Sequence, residues 1–159
     1  MTATNPLSVI VGLDGAPASL IALRLALSEA AISGASVEVV HCWHAQGLRD
    51  IAFGSTHELH NASICMLDNE VRAALEETVG TVTVTQTSVN GRPAAILLDH
   101  AKNADLLVLG AHSHTTLRDA AFGHVAASCR KHSLCPVVIV EVDGSSTRHE
   151  ARAHAVAAN

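Results

Sequence analysis

From Leu107 to Val140 the chain reads LVLGAHSHTTLRDAAFGHVAASCRKHSLCPVVIV: an apolar run stopped by Gly110, a polar loop, a helical stretch opening near Gly123, and a second apolar run after Pro136. A strand that feeds a loop and then a helix start is an arrangement that holds phosphate. The first N–H groups of a helix have no internal partner, and the helix dipole favours an anion beside them. His112, His114 and Arg118 fall in this loop and read either as a cationic lip for phosphates or as the ordinary polar side chains of an exposed loop. A second signal sits near the start, where the apolar run SVIVGL is broken by Asp14-Gly15. Asp14 is either a turn former or a ligand contact.

Strand and helix signals alternate around these two places. Ser8–Leu13 is β-branched and apolar, as a strand is. Leu20, Leu23, Leu27 and Ala31 follow with helical spacing between Ser19, which suits an N-cap, and Gly34, which suits a stop. Ser36–Cys42 is a second strand. The segment from His44 to Asn61 is long, polar and glycine-interrupted, the size of a flap or a mobile excursion. Ile64, Leu67, Val71, Leu75 and Thr78 predict a helix over Ser63–Val79, closed by Gly80. Thr81–Val89 alternates Thr with Val and suits a wetter edge strand. A short helix over Pro93–Lys102, a fully apolar strand Asp105–Gly110, a helix over Gly123–His132 and a strand Pro136–Val142 complete the series.

Five strands alternating with four helices predict an α/β fold, a doubly wound five-stranded parallel sheet of order 3-2-1-4-5 with right-handed crossovers. In such sheets ligands bind outside the carboxyl ends of the strands where the order reverses. That crevice lies between strands one and four, so Gly12–Gly15 and the loop after Gly110 meet there. The tail from Asp143 has no apolar period and is expected to be disordered. The expected organisation is a flexible N-terminus over 1–7, one domain over 8–142 and a disordered tail over 143–159.

Bulk composition narrows the partners. Hydrophobic residues make up 48% and aromatics 2%, so the core is aliphatic and there is little aromatic surface on which bases could stack. A net charge of −5 with no basic run speaks against a nucleic acid. The opening MTATNPLSVI lacks the pattern of an export signal, and no apolar run reaches the length of a membrane span, so a cytoplasmic location away from membranes is expected. Cys42, Cys65, Cys129 and Cys135 show no CxxC spacing and read as reduced, buried small hydrophobes. Eleven histidines are many, and their full protonation would reverse the sign of the net charge. His41, His44, His57 and His60 lack the tight motif or thiolate and carboxylate partners of a zinc site, so no metal is expected. Arg24, Glu29, Glu70, Arg72, Glu76 and Glu77 read as a solvated helix face. No Ser-His-Asp or paired-carboxylate set can be assembled from spacing, so no catalytic residue is expected.

VIVGLDGAPAS at the first strand, VEVVHCW at the second and the closing LVLGAHS…FGHV…CPVVIV block together resemble the universal stress protein family over Ser8 to about Val142. The resemblance implies an adenine nucleotide α-hydrolase-like fold and a cytoplasmic homodimer that pairs through the last strand, here 136–142. An apolar edge left open there would otherwise invite other chains. It also implies a stress-response regulator that binds ATP, in some members with Mg2+, and hydrolyses it weakly at most. Nucleotide-binding members carry Gly, two residues, Gly, nine residues, Gly, then Ser or Thr. The same spacing falls here on Gly110, Ser113, Gly123 and His124, followed by Val125. By that alignment Asp14 matches the acid that holds adenine or ribose, and Leu13, Cys42 and Leu109 match positions around the base.

Two of the four motif positions depart. A left-handed conformation at Ser113 would cost about 1–2 kcal/mol. Loss of the hydroxyl donor at His124 would cost about 0.5–1.5 kcal/mol, roughly tenfold in affinity. A protonated His124 could offer charge to phosphate instead, whereas a neutral one could plug the site. The competing reading is therefore a non-nucleotide member of the family acting as a dimeric protein-interaction module.

Overall fold

A computed structural model describes residues 6–44, 55–111 and 123–151. The elements are β1 (Ser8–Gly12), α1 (Pro17–Ser33), β2 (Ser36–Trp43), α2 (Ser55–Glu77), β3 (Thr83–Asn90), α3 (Pro93–His100, running into a 3-10 turn at Ala101–Asn103), β4 (Leu106–Gly110), α4 (Gly123–His132), β5 (Val137–Val140) and β6 (Ser146–His149). One sheet joins all six strands in the order β3-β2-β1-β4-β5-β6. The first five strands are mutually parallel, and β6 runs antiparallel to β5.

Side chains that alternate along the strands feed two cores. Val9, Val11, Leu13, Val37 and Val39 point to one face, where they bury Ala22, Leu23 and Leu27 of α1 and Leu67, Val71 and Ala74 of α2. Ile10, Val40, Leu107, Leu109, Val137 and Ile139 point to the other, against Leu97 of α3 and Ala126 and Cys129 of α4. This is the two-sided burial that parallel sheets require. Arg24 and Glu77, both on the expected solvated face, tie α1 to α2 with a 2.8 Å exposed ion pair.

The sheet has six strands rather than five, and the extra one comes from the expected tail. Gly144 N–H donates to Glu141 O, Glu141 N–H donates to Ser145 O, and Gly144 takes φ +85°. The Asp143 carboxylate accepts from Ser145 N–H at 2.8 Å and from Ser145 Oγ at 2.6 Å. A tight turn with glycine in the left-handed position then returns the chain as a strand. Consequently the hydrogen-bonding edge of β5 expected to be open for a homodimer is taken by β6. The free edges of the sheet are β3, Thr-rich and half exposed as expected, and β6.

Two helix starts also differ. α1 begins at Pro17 with Ala16 as its N-cap, so Ser19 is a buried residue of the first turn rather than the cap. Proline at the first helical position needs no N–H and presets φ. Gly34 does stop the helix, left-handed at φ +75° with its N–H on Ala30 O. α2 already runs from Ser55, so residues 55–61 of the expected excursion are helical. Residues 45–54 of that excursion lie outside the described residues, as does the loop 112–122. Cys65, expected to be buried, is exposed, whereas Cys129 and Cys135 are buried and Cys42 is half-buried.

Candidate functional site

β1 pairs with both β2 and β4, so the point where strand order reverses lies beside β1, and the carboxyl ends of β1 and β4 stand next to each other. Leu13 is buried and fixes the end of β1 by donating its N–H to Val40 O at 2.9 Å. The chain then surfaces. Asp14 is exposed, its Oδ1 accepts from Ala16 N–H at 2.9 Å, and its own N–H reaches Ser19 Oγ at 3.3 Å. Ser19 Oγ in turn donates to Ala16 O at 3.0 Å. Asp14 is thus a turn former in fact. A carboxylate has about four acceptor sites, so this turn bond is compatible with a further contact.

Gly110 has a reason of its own. A Cβ on it would lie 2.4 Å from Ser19 N and 2.6 Å from Ala18 C, so glycine lets the first turn of α1 seat directly on the end of β4. A Cβ on Gly12 would lie 2.6 Å from Leu109 Cδ2. These two glycines bring β1, β4 and the start of α1 together at one spot. Ala16, the N-cap of that helix, makes no side-chain cap, and its own N–H is taken by Asp14 Oδ1.

The structure therefore joins Leu13, Asp14, Leu109 and Gly110 at the switch point. Cys42 and Val125 pack on the same apolar cluster as Leu109, on the α3 and α4 face. Gly123 opens α4 at φ +64°, and His124 is exposed on its first turn. Ser113, His112, His114 and Arg118 lie outside the described residues. Burial pushes the Cys42 thiol up to about 11, and burial beside Cys42 and Cys135 pushes Cys129 up to about 12.

A polar cluster that the sequence reading did not assemble stands on the α1 and α2 side of the same sheet end. His41 Nδ1 is 2.7 Å from Ser63 Oγ, and Ser63 Oγ is 2.6 Å from Ser88 Oγ. Ser88 Oγ also accepts from Trp43 Nε1 at 3.0 Å and lies 3.4 Å from His60 Nδ1. The Trp43 and His60 rings are 5.5 Å apart, tilted by 49°. Burial holds the His41 imidazole below its ordinary value, and the Asp14 carboxylate opposes that with a smaller pull. The contributors come from β2, β3 and α2, so no spacing reveals them. The one available signal was the polar character of His41 and Ser88 at strand ends.

On the other side of the sheet Glu38 Oε1 accepts from Thr87 Oγ1 at 2.7 Å and lies 3.0 Å from His100 Nδ1, a half-buried tie between β2, β3 and α3. An open groove of about 430 Å³ runs between α2 and β3, lined by Asp68, Val71, Arg72, Leu75, Glu76 and Gln86, and shares no residue with the crevice. Among the described residues there is no group of three or more His, Cys, Asp or Glu placed to hold a metal, and no helix long and apolar enough to cross a membrane.

Comparison with known proteins follows the same outline. The profile of the universal stress protein family matches residues 7–141. A universal stress protein of Mycolicibacterium smegmatis is 32% identical over 135 residues, covering 84% of this chain and 45% of that protein. The chain thus spans about half the length of this curated relative. A universal stress protein crystallised in complex with cAMP superposes with a TM-score of 0.62 at 25% identity, covering 87% of this chain and 99% of the other. A universal stress protein family member from Arabidopsis thaliana with AMP bound shares the fold at TM-score 0.59 and 20% identity, over 86% of this chain and 92% of the other.

Proposed function

Since the chain belongs to the universal stress protein family, we propose that it is an adenine-nucleotide-binding regulator of a stress response, with ATP as its ligand. The observation that carries this reading is the junction at the switch point: exposed Asp14 at the end of β1, beside the close seat of α1 on Gly110. Adenine nucleotides fit the donor and acceptor set. Asp14 supplies acceptors for ribose hydroxyls or the exocyclic amine. Leu13, Cys42, Leu109 and Val125 supply apolar wall; by motif spacing Gly110, Ser113, Gly123 and His124 are assigned to the phosphates, and His112, His114 and Arg118 to a cationic lip. Mg2+ would accompany the phosphates. The likeness to a relative that holds cAMP supports the ligand class. The reading assigns no catalytic residue and at most slow ATP hydrolysis.

Isothermal titration with ATP, AMP and cAMP, with and without Mg2+, tests it. Saturable one-site binding of at least one of them is expected. Heat that never saturates at millimolar ligand defeats the proposal. It would leave the second reading, a protein-interaction module, which the replacement of two motif positions by Ser113 and His124 favours.

We place the domain in the cytoplasm and expect self-association through 136–142 to compete with β6 for one edge. Deleting residues 143–159 should then move the sedimenting species from monomer toward dimer. An unchanged monomer after deletion rules out pairing through β5.

A further inference from the structure

We propose that His41 and His60 are the two ends of one hydrogen-bonded relay through Ser63 and Ser88, so that a proton on His60 Nδ1 commits a neutral His41 to offering the crevice a donor, whereas a bare Nδ1 also allows an acceptor. The relay is read from geometry. Its four links are His41 Nδ1 to Ser63 Oγ at 2.7 Å, Ser63 Oγ to Ser88 Oγ at 2.6 Å, Ser88 Oγ to His60 Nδ1 at 3.4 Å, and Trp43 Nε1–H donating to Ser88 Oγ at 3.0 Å. Ser63 is buried, and His41, His60 and Ser88 are half-buried.

A hydroxyl has one proton to give and two lone pairs to receive with, and this decides the rest. Trp43 always occupies one acceptor site of Ser88. When His60 carries Nδ1–H it fills the other, so Ser88 must send its proton to Ser63, and Ser63 must send its own to His41 Nδ1. His41 is then neutral with its proton on Nε2, a donor. When His60 Nδ1 is bare, the chain can run the other way. His41 Nδ1–H donates to Ser63, Ser63 to Ser88, and Ser88 to His60, and a neutral His41 is left with Nε2 as an acceptor. If both rings are cationic, Ser63 receives from His41 and from Ser88 and its own proton has no acceptor. The doubly cationic arrangement therefore lacks one hydrogen bond that every other arrangement makes.

The electrostatic surroundings agree. Among the described residues Asp14, on the turn after β1, is the charged group whose field reaches His41, and burial outweighs it. β3 presents Ser88 and α2 presents Ser63 and His60, with exposed His57 and Glu58 a turn away on the same helix. Register places His41 beside the crevice, since Gly12 pairs with Val40, one residue before it. The statement about a ligand rests on the proposed function, and the coupling of the two histidines does not.

Long-range proton–nitrogen NMR spectra of the full chain labelled with 15N-histidine, taken from about pH 4.5 to 8.5, separate the two. In the unliganded protein, His60→Gln gives Ser88 a neutral carbonyl to donate to. The His41 midpoint should then rise by about one pH unit, the worth of one restored hydrogen bond. In a Ser88→Ala background, where the relay is cut, the same His60→Gln change should leave the His41 midpoint where it was. Equal His41 midpoints in the wild type and in His60→Gln overturn the proposal, as does a shift of the same size in the Ser88→Ala background. Saturating ATP or AMP should then fix one His41 tautomer, and a nucleotide that binds without moving the His41 ring nitrogens overturns the ligand half. If no nucleotide binds, the reading of the crevice fails, and the histidine coupling still stands or falls by the first comparison.

Discussion

Replacing Gly110 by alanine should damage the fold more than any other single methyl group at a described glycine. The added Cβ would sit 2.4, 2.6 and 2.8 Å from Ser19 N, Ala18 C and Ser19 Cα. Comfortable contacts between such atoms are about 3.5–4.0 Å, so β4 or the first turn of α1 must retreat by about 1 Å. Overpacking costs about 1–3 kcal/mol, and the upper end applies because the opposing atoms are backbone and cannot rotate away. For a domain of this size each kcal/mol is roughly 3–4 °C, so the melting temperature should fall by about 10 °C. Two comparisons calibrate the figure. Gly12→Ala meets the flexible tips of Leu109 and Leu97, at 2.6 and 3.2 Å, and should lose about half as much. Gly34→Ala meets nothing within 4 Å and suffers only its φ of +75°, about 1–2 kcal/mol. Thermal unfolding followed by circular dichroism ranks the three. A Gly110→Ala chain that melts no lower than Gly34→Ala refutes the close-seat account. One that keeps its melting temperature yet loses nucleotide assigns Gly110 to phosphate contact instead.

Three further outcomes are expected. His124→Ser restores a hydroxyl on the first turn of α4 and should tighten ATP by about tenfold in calorimetry at pH 8; an unchanged or weaker affinity removes position 124 from the site. Iodoacetamide at pH 8 should modify exposed Cys65 and spare Cys42 and Cys129, whose thiols are held protonated with values of about 11 and 12; peptide mass mapping that finds Cys129 labelled first contradicts this. Because the folded-state value of His41 lies below its ordinary 6.5, its contribution is complete above that pH and is lost as pH falls through the lowered value. The urea midpoint should therefore drop from pH 7.5 to 5.5, and His41→Gln should drop less; parallel losses in both proteins exclude His41 as the cause.

The alternation of strands and helices was legible because each period is imposed by burial. Ile10, Val11, Val39 and Val40 are apolar on both faces, as a covered strand must be, and Gly34 marks a helix end by backbone necessity. β6 was missed because Ser146–His149 is exposed and has no apolar period to read. The informative residues were Asp143-Gly144, a pair that specifies a tight hairpin turn, set against a composition that suggested disorder. Ser19 had the right side chain for a cap but sits two residues inside the helix, because Pro17 can occupy only the first turn. The positions of Asp14 and Gly110 at the ends of neighbouring strands β1 and β4 were legible from sequence, since strand ends at a switch point are a consequence of topology. The glycine motif suggested phosphate contact at Gly110, and the structure supplies helix packing as the physical reason. Of the His41 cluster only His41 and His60 stood out in the sequence, as members of a histidine set weighed for zinc; residues 41, 60, 63 and 88 meet only after β2, β3 and α2 have packed, and no local pattern encodes that meeting.

The direction of β6 has a practical corollary. Ser146 faces Val140 and His149 faces Val137, so the chain travels back from the rim where the parallel strands finish to the floor where they begin. Three residue steps of strand put roughly 10 Å between those two levels. A dye or surface tether attached at position 149 would thus sit at the opposite pole from Asp14 and leave the mouth of the crevice unobstructed. One attached at Asp143, in the hairpin bend, would stand at the rim itself, where it could sense what arrives.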